Sequence, residues 1–152
     1  MKKLGIFTLI FIICDQLIKI LITNILIEYQ YIDVIKNIFT ITHVHNTGAA
    51  FSILSNNVLL LISISLIALV FIYYYILKNI KYSKLDIIIY SLLIGGIFGN
   101  LIDRVVHGYV IDYLSVKIFN YNFPVFNLAD IGIVISVFLL FIKTFKEDIC
   151  KK

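Results

Sequence analysis

Residues 95–113, GGIFGNLIDRVVHGYVIDY, decide how the rest of this 152-residue chain must be arranged. The stretch begins inside an apolar run long enough to cross a bilayer, yet it carries Asn100, Asp103 and Arg104, with Asp112 shortly after. On a helix, Gly96, Asn100 and Asp103 recur at i, i+4 and i+7, so they share one face with Arg104 close by. Lipid tails cannot solvate that face, because a charge at mid-membrane costs about 2.5–3.5 kcal/mol on insertion scales. The face must look inward, onto protein or trapped water. Ionisable groups placed there mark a candidate functional site.

Outward from this stretch, four apolar segments reach the ~20 residues a spanning helix needs. They are about 4–25, 58–77, 85–106 and 128–145. The chain is 61% hydrophobic and 14% charged, where soluble domains are nearer one-half and one-quarter, so it reads as one integral membrane domain. Lys2 and Lys3 followed by an apolar run suggest a signal peptide, but no small-x-small site follows, and Asp15 and Lys19 interrupt the run. It is read as the first span. Nine of the thirteen Lys and Arg lie at the start, in the 78–84 connection or in the tail from Lys143. Positive charge marks the cytoplasmic side, which predicts both termini inside and segments 26–57 and 107–127 outside. The net charge of +4 forms no basic stripe with interleaved aromatics, so nucleic acid is not an expected partner. Cys14, mid-span, and Cys150, in the tail, sit at different depths and predict no disulfide.

The two outer segments carry strand signals. Residues 38–45 alternate, with Phe39, Ile41, His43 and His45 on one side and Thr40, Thr42 and Val44 on the other. Residues 113–118, 120–122 and 123–126 read as a hairpin. The expected architecture is four transmembrane helices with a small extracytoplasmic β-sheet cradle. Tyr29, Tyr31, Tyr109, Tyr113 and Tyr121 suit the headgroup zone.

Each polar group has a structural reading beside a functional one. Asp15 and Lys19, four apart, form a pair that lets both sit in the membrane, or position a substrate or the sheet. Asn46-Thr-Gly48 is a turn, or a place where Asn46 and amides near Gly48 hold a peptide. Gly95 and Gly99 form a small-xxx-small pattern for close helix packing. Asp103 and Arg104 are a buried pair, or Arg104 clamps a substrate with its planar fork. Asn127 and Asp130 read alone as an N-cap and a first-turn acid. His43, His45 and His107 make only a loose ligand set, and neither metal nor cofactor is expected. Together, Asp112 at the end of the third helix and Asp130 at the start of the fourth lie on one side of the membrane. Two close carboxylates do not both ionise easily, so one keeps a proton near neutral pH. The ionised one deprotonates a water and the protonated one polarises a peptide carbonyl, which cuts an amide without a nucleophilic side chain. A small proton-coupled carrier would use the same groups, but four spans without paired halves argue against it.

Residues 15–19 (DQLIK), 46–51 (NTGAAF), 95–104 (GGIFGNLIDR), 108–113 (GYVIDY) and 126–130 (FNLAD) occur in an order and spacing that resemble lipoprotein signal peptidase, also called signal peptidase II. The resemblance covers nearly the whole chain. It implies a bacterial inner-membrane aspartyl endopeptidase that removes the signal peptide of prolipoproteins, cutting before a Cys already carrying diacylglycerol; separately, a monomer is expected. By motif, the catalytic pair falls on Asp112 and Asp130. The supporting positions fall on Asp15, Lys19, Asn46, Gly48, Gly96, Asn100, Asp103, Arg104, Asn127 and Ala129. Membrane lipid and globomycin-type cyclic peptides are the other implied partners.

Overall fold

The computed structural model describes residues 2–49, 54–77, 83–119 and 121–150. Among the described residues, four helices and four short strands follow in the order helix, two strands, two helices, two strands, helix. α1 is Lys2–Ile25, β1 Tyr31–Ile35, β2 Phe39–Asn46 and α2 Val58–Phe71, which continues as a π-helical turn over Ile72–Leu77. α3 is Lys84–His107, β3 Val110–Ile118, β4 Tyr121–Asn122 and α4 Leu128–Cys150. Among the described residues, three helices, α1, α3 and α4, are long and apolar enough to cross a membrane. The segment expected as the second span forms a shorter α-helix of 14 residues before its winding changes.

α3 is the hub, packed against α1, α2 and α4. It is more than half buried, whereas most of α1 and α4 faces outward. That matches composition: α3 carries Asn100, Asp103 and Arg104 within its apolar run, and polar groups that lipid cannot solvate are covered by protein. Glycines set the closeness. A Cβ on Gly95 would meet the Phe11 ring of α1 at 2.8 Å, and one on Gly99 would meet Asp15 Oδ2 at 2.5 Å. On Gly96 it would meet the Ala129 carbonyl of α4 at 2.5 Å. Small residues thus let two helices approach α3 on adjacent faces, as the Gly95/Gly99 spacing predicts. At the end away from the sheet, Leu4, Ile72, Ile89, Tyr90 and Leu93 form an apolar core. There Asp86 closes a capping box with Ser83 and pairs with Lys143 of α4.

The sheet sits where α1 and α3 end and α4 begins, in the antiparallel order β1-β2-β3-β4. β1 was not anticipated. Its residues Tyr31–Ile35 are all exposed, so no alternation of burial marks it. The predicted alternation of β2 holds only in part. A register shift between Ile41 and Val44 pairs Ile41 with Leu114 but Val44 with Asp112. One extra residue moves Val44 onto the face of Ile41 and sends His45 to the other.

Asp112 does not close the third helix. α3 ends at His107, Gly108 takes the left-handed conformation (φ 80°), and its N–H bonds the Arg104 carbonyl. Asp112 lies two residues into β3. The chain leaves through β3 and β4 and returns at Phe126, which exchanges backbone hydrogen bonds with Leu114 at 2.8 and 3.0 Å. That return sets Asn127 and α4 beside Asp112. Residues 50–51 of the 46–51 motif, 78–82 of the basic connection, and Asn120 of the hairpin lie outside the described residues.

Candidate active site

Asp112 and Asp130 reach one site from a strand and a helix N-terminus. Asp112 is 2% exposed. Its Oδ1 accepts from the Asn127 side-chain amide at 2.7 Å and its Oδ2 from that of Asn46 at 2.8 Å. Asp130 closes a reciprocal cap on α4: the Asp130 N–H donates to Asn127 Oδ1 at 2.9 Å, and the Asn127 N–H donates to Asp130 Oδ2 at 3.2 Å. Asp130 Oδ1 accepts from the Asn100 amide at 2.7 Å. Three asparagines therefore orient both carboxylates, and Asn127 touches both. Its amide also donates to Asn100 Oδ1 at 3.1 Å, which closes the ring. The helix-start reading of Asn127 and Asp130 is correct as far as it goes. Capping simply uses one side of each residue and leaves the other for the site.

Burial first, and then the negative charge of Asp130, push the Asp112 carboxyl up to about 7. The Asn46 and Asn127 amides and the Lys19 charge oppose that rise without cancelling it. A carboxyl so placed holds a proton near neutral pH and still gives it up within reach of physiological conditions.

Below the pair lies a buried charge cluster. Lys19 Nζ is 2.8 Å from both Asp15 and Asp103 and donates to Asn100 Oδ1 at 3.2 Å. Asp15 and Lys19 are thus paired, as expected, but the pair is shared with α3. Asp103 and Arg104 are not paired with each other. Adjacent helical residues point about 100° apart. Asp103 turns to Lys19, while Arg104 Nη2 donates to the Gly48 carbonyl at 2.9 Å. Gly48 N–H is likewise engaged, donating to Asn46 Oδ1 at 2.9 Å, so it is a turn amide and not a free donor. Gly96 and Ala129 supply the close α3–α4 contact and Ala129 is fully buried. Every supporting position named from the sequence therefore lies in or directly beneath one site.

Two contributors were not foreseen. Gln16 donates to Asp103 Oδ1 at 2.9 Å and to the Gly99 carbonyl at 3.2 Å. Its signal was available, since an amide inside an apolar span needs partners as Asn100 does. The Tyr113 hydroxyl accepts from the Leu128 N–H at 3.1 Å, tying β3 to the start of α4. The histidines cluster beside the site. His45 Nε2 lies 3.1 Å from His43 Nε2, His45 Nδ1 3.2 Å from Glu28, and the His45 ring stacks on Tyr109.

Asp112, Asp130, Arg104 and Asn46 form the polar end of a cavity of about 810 Å³. Its remaining wall is mostly apolar, with Phe123, Pro124, Val125 and Phe126 before α4 and Ile131 and Val134 on it. Such an arrangement places two carboxylates, one of them inclined to hold a proton, beside an apolar slot.

Comparison with known proteins follows the same lines. The family described as Signal peptidase (SPase) II matches residues 7–146. Lipoprotein signal peptidases of Staphylococcus aureus are similar over 149 residues, 98% of this chain and 90% of theirs: 36% identical in strain MRSA252 and 35% in strain JH9. A bacterial membrane enzyme solved by the in meso method at 2.3 Å resolution superposes with a TM-score of 0.92 at 34% identity, covering 100% of this chain and 93% of that one. A second, at 1.9 Å resolution, gives 0.86 at 34% identity over 96% and 94%.

Proposed function

This chain belongs to the signal peptidase II family, and from that premise we propose that Asp112 and Asp130 are the catalytic pair of an aspartic peptidase that releases signal peptides from prolipoproteins. The observation that carries the assignment is the shared Asn127: its side-chain amide donates to the Asp112 carboxylate and its backbone N–H to that of Asp130, and both carboxylates line a largely apolar cavity. The carrier reading has no support among the relatives, which are peptidases.

In the proposed reaction one carboxyl is ionised and the other protonated, and the proton belongs to the pair. The ionised member removes a proton from a water. That water attacks the scissile carbonyl while the protonated member donates to the carbonyl oxygen. Collapse of the tetrahedral species returns a proton to the leaving amine. Asn46, Asn100 and Asn127 hold the carboxylates through amides that do not titrate. The position of the Asp112 carboxyl, up to about 7, suits a group that must exchange a proton near neutrality.

The substrate we propose carries diacylglyceryl-Cys immediately after the cut. The apolar wall supports this, because it offers acyl chains and a hydrophobic signal segment a surface next to the carboxylates. A cyclic peptide of the globomycin type is proposed to compete for the same cavity. No metal or cofactor takes part in this scheme. The proposed setting is the bacterial cytoplasmic membrane, with both termini cytoplasmic and the sheet and carboxylates at the outer face. The distribution of Lys and Arg supports that orientation. A monomer is proposed to suffice, since the two aspartates and the groups that orient them come from one chain.

The test is cleavage of a model prolipoprotein by the purified full chain in detergent, followed by gel mobility. Asp112→Asn and Asp130→Asn should each abolish cleavage, and the double variant should lose little more than either. Near-normal cleavage by Asp130→Asn would leave Asp130 as a helix cap and overturn the pair.

A further inference from the structure

The cluster beneath the catalytic pair has a symmetry that its members do not suggest one at a time. Asp103 Oδ2 accepts the backbone N–H of Ile111 at 3.1 Å, and Ile111 immediately precedes Asp112. Asp15 Oδ1 accepts the backbone N–H of Ala129 at 3.0 Å, and Ala129 immediately precedes Asp130. Each catalytic residue is therefore held by the amide just before it, and each amide is held by a different buried carboxylate. The separation of the catalytic pair follows the separation of Asp15 and Asp103.

Two side chains of α1 tie those carboxylates together. Lys19 stands 2.8 Å from each and supplies charge. Gln16 supplies direction. Its amide donates to Asp103 Oδ1 at 2.9 Å and faces Asp15 Oδ2 at 3.3 Å and the Gly99 carbonyl at 3.2 Å. Asp103 Oδ2 already serves Lys19 and Ile111, so Oδ1 is the handle that stops the carboxylate rotating about its Cβ–Cγ bond. Gln16 holds that handle. A carboxylate at position 16 would repel both neighbours, and an apolar side chain would leave the handle loose.

We propose that Gln16 is a positioning residue for the cut, acting through Asp103 and Asp15 on the backbone amides that precede the two catalytic aspartates. The assignment rests on the catalytic pair proposed above. Gln16 itself meets neither substrate nor water in this scheme.

The experiment compares Gln16→Leu, Gln16→Glu and the parent chain, purified in detergent, with kcat and KM measured separately from pH 4.5 to 8.5. Folded fraction is measured in parallel by thermal shift. Since a displacement of about 1 Å can cost about 100-fold in rate, Gln16→Leu should lose ten- to about 100-fold in kcat per folded molecule with KM nearly unchanged. Gln16→Glu should recover rate towards acid, where a protonated Glu donates to Asp103 Oδ1, and lose it as that carboxyl ionises. In an Asp103→Asn background, Gln16→Leu should cost little more, because the two act as a unit. A kcat within twofold of the parent, or a loss that multiplies with that of Asp103→Asn, would overturn the proposal. Should Gln16→Leu fail to fold, the acid recovery of Gln16→Glu decides alone: its presence supports positioning and its absence overturns it. The outcomes separate from those of the underlying reading. Inactive Asp112→Asn and Asp130→Asn beside fully active Gln16 variants would sink the positioning role only.

Discussion

At the scale of one residue, Asp112 links activity and stability through a single proton. Its carboxyl is raised from the usual 3.8 to about 7, chiefly by burial. Between those values the folded protein binds the proton more tightly than the unfolded chain. Stability contributed by this group is therefore full below about pH 4 and is lost as pH rises through about 7. Thermal melts in detergent should show a midpoint that falls over that window and levels off above it. Asp112→Asn should flatten this component. It should also lower the midpoint at acid pH, since its NH₂ must face the donor of Asn46 or Asn127, and a buried polar mismatch costs about 1–3 kcal/mol. The same titration bounds activity. Once both carboxyls are ionised, no proton remains to polarise the carbonyl, so the cleavage rate should decline on the alkaline side of a bell. A flat rate from pH 6 to 9 would contradict this assignment.

At the scale of the element, α3 does its work through what its glycines leave out. The three close approaches differ in what can yield. A methyl at Gly96 meets a backbone carbonyl of α4 and the Ile133 side chain, and the carbonyl is fixed by its helix. A methyl at Gly99 meets Asp15, whose carboxylate is pinned by Lys19 and Ala129. A methyl at Gly95 meets only the Phe11 side chain and no backbone, although that ring also packs against Gly132. Gly96→Ala and Gly99→Ala should each cost at least the 1–3 kcal/mol typical of overpacking and remove most activity; Gly95→Ala should cost least. Thermal shift and cleavage, read together, check the order. Much of this helix was legible beforehand. Its inward face followed from Asn100 and Asp103 inside an apolar run, because no other arrangement satisfies them. The split between Asp103 and Arg104 was harder to see, because neighbours in sequence suggested a pair. The sequence expectation puts Asp112 on α3, whereas Gly108 in the left-handed conformation ends that helix and frees the chain to enter β3. β1 and the bulge in β2 left no trace in hydrophobic pattern. One is exposed throughout, and the other is a matter of register, which depends on the partner strand.

At the scale of the whole molecule, charge asymmetry along the chain predicts its orientation. In a background lacking Cys14 and Cys150, a cysteine at exposed Lys117 on the sheet should react with a membrane-impermeant maleimide added to intact cells, and one at exposed Lys84 should not. The reverse pattern would invert the topology. The cavity carries a further consequence, through its walls. Val134 and Ile135 line it, yet they are 66% and 44% exposed on the flank of α4. In the membrane setting proposed above, the slot is thus open sideways, toward the acyl chains around the helix. A ligand already dissolved in the leaflet enters by travelling within a plane, and what governs its arrival is its number per unit area of lipid, not its molarity in the water. Adding detergent at constant protein and substrate therefore dilutes the reaction as surely as adding buffer dilutes a soluble one.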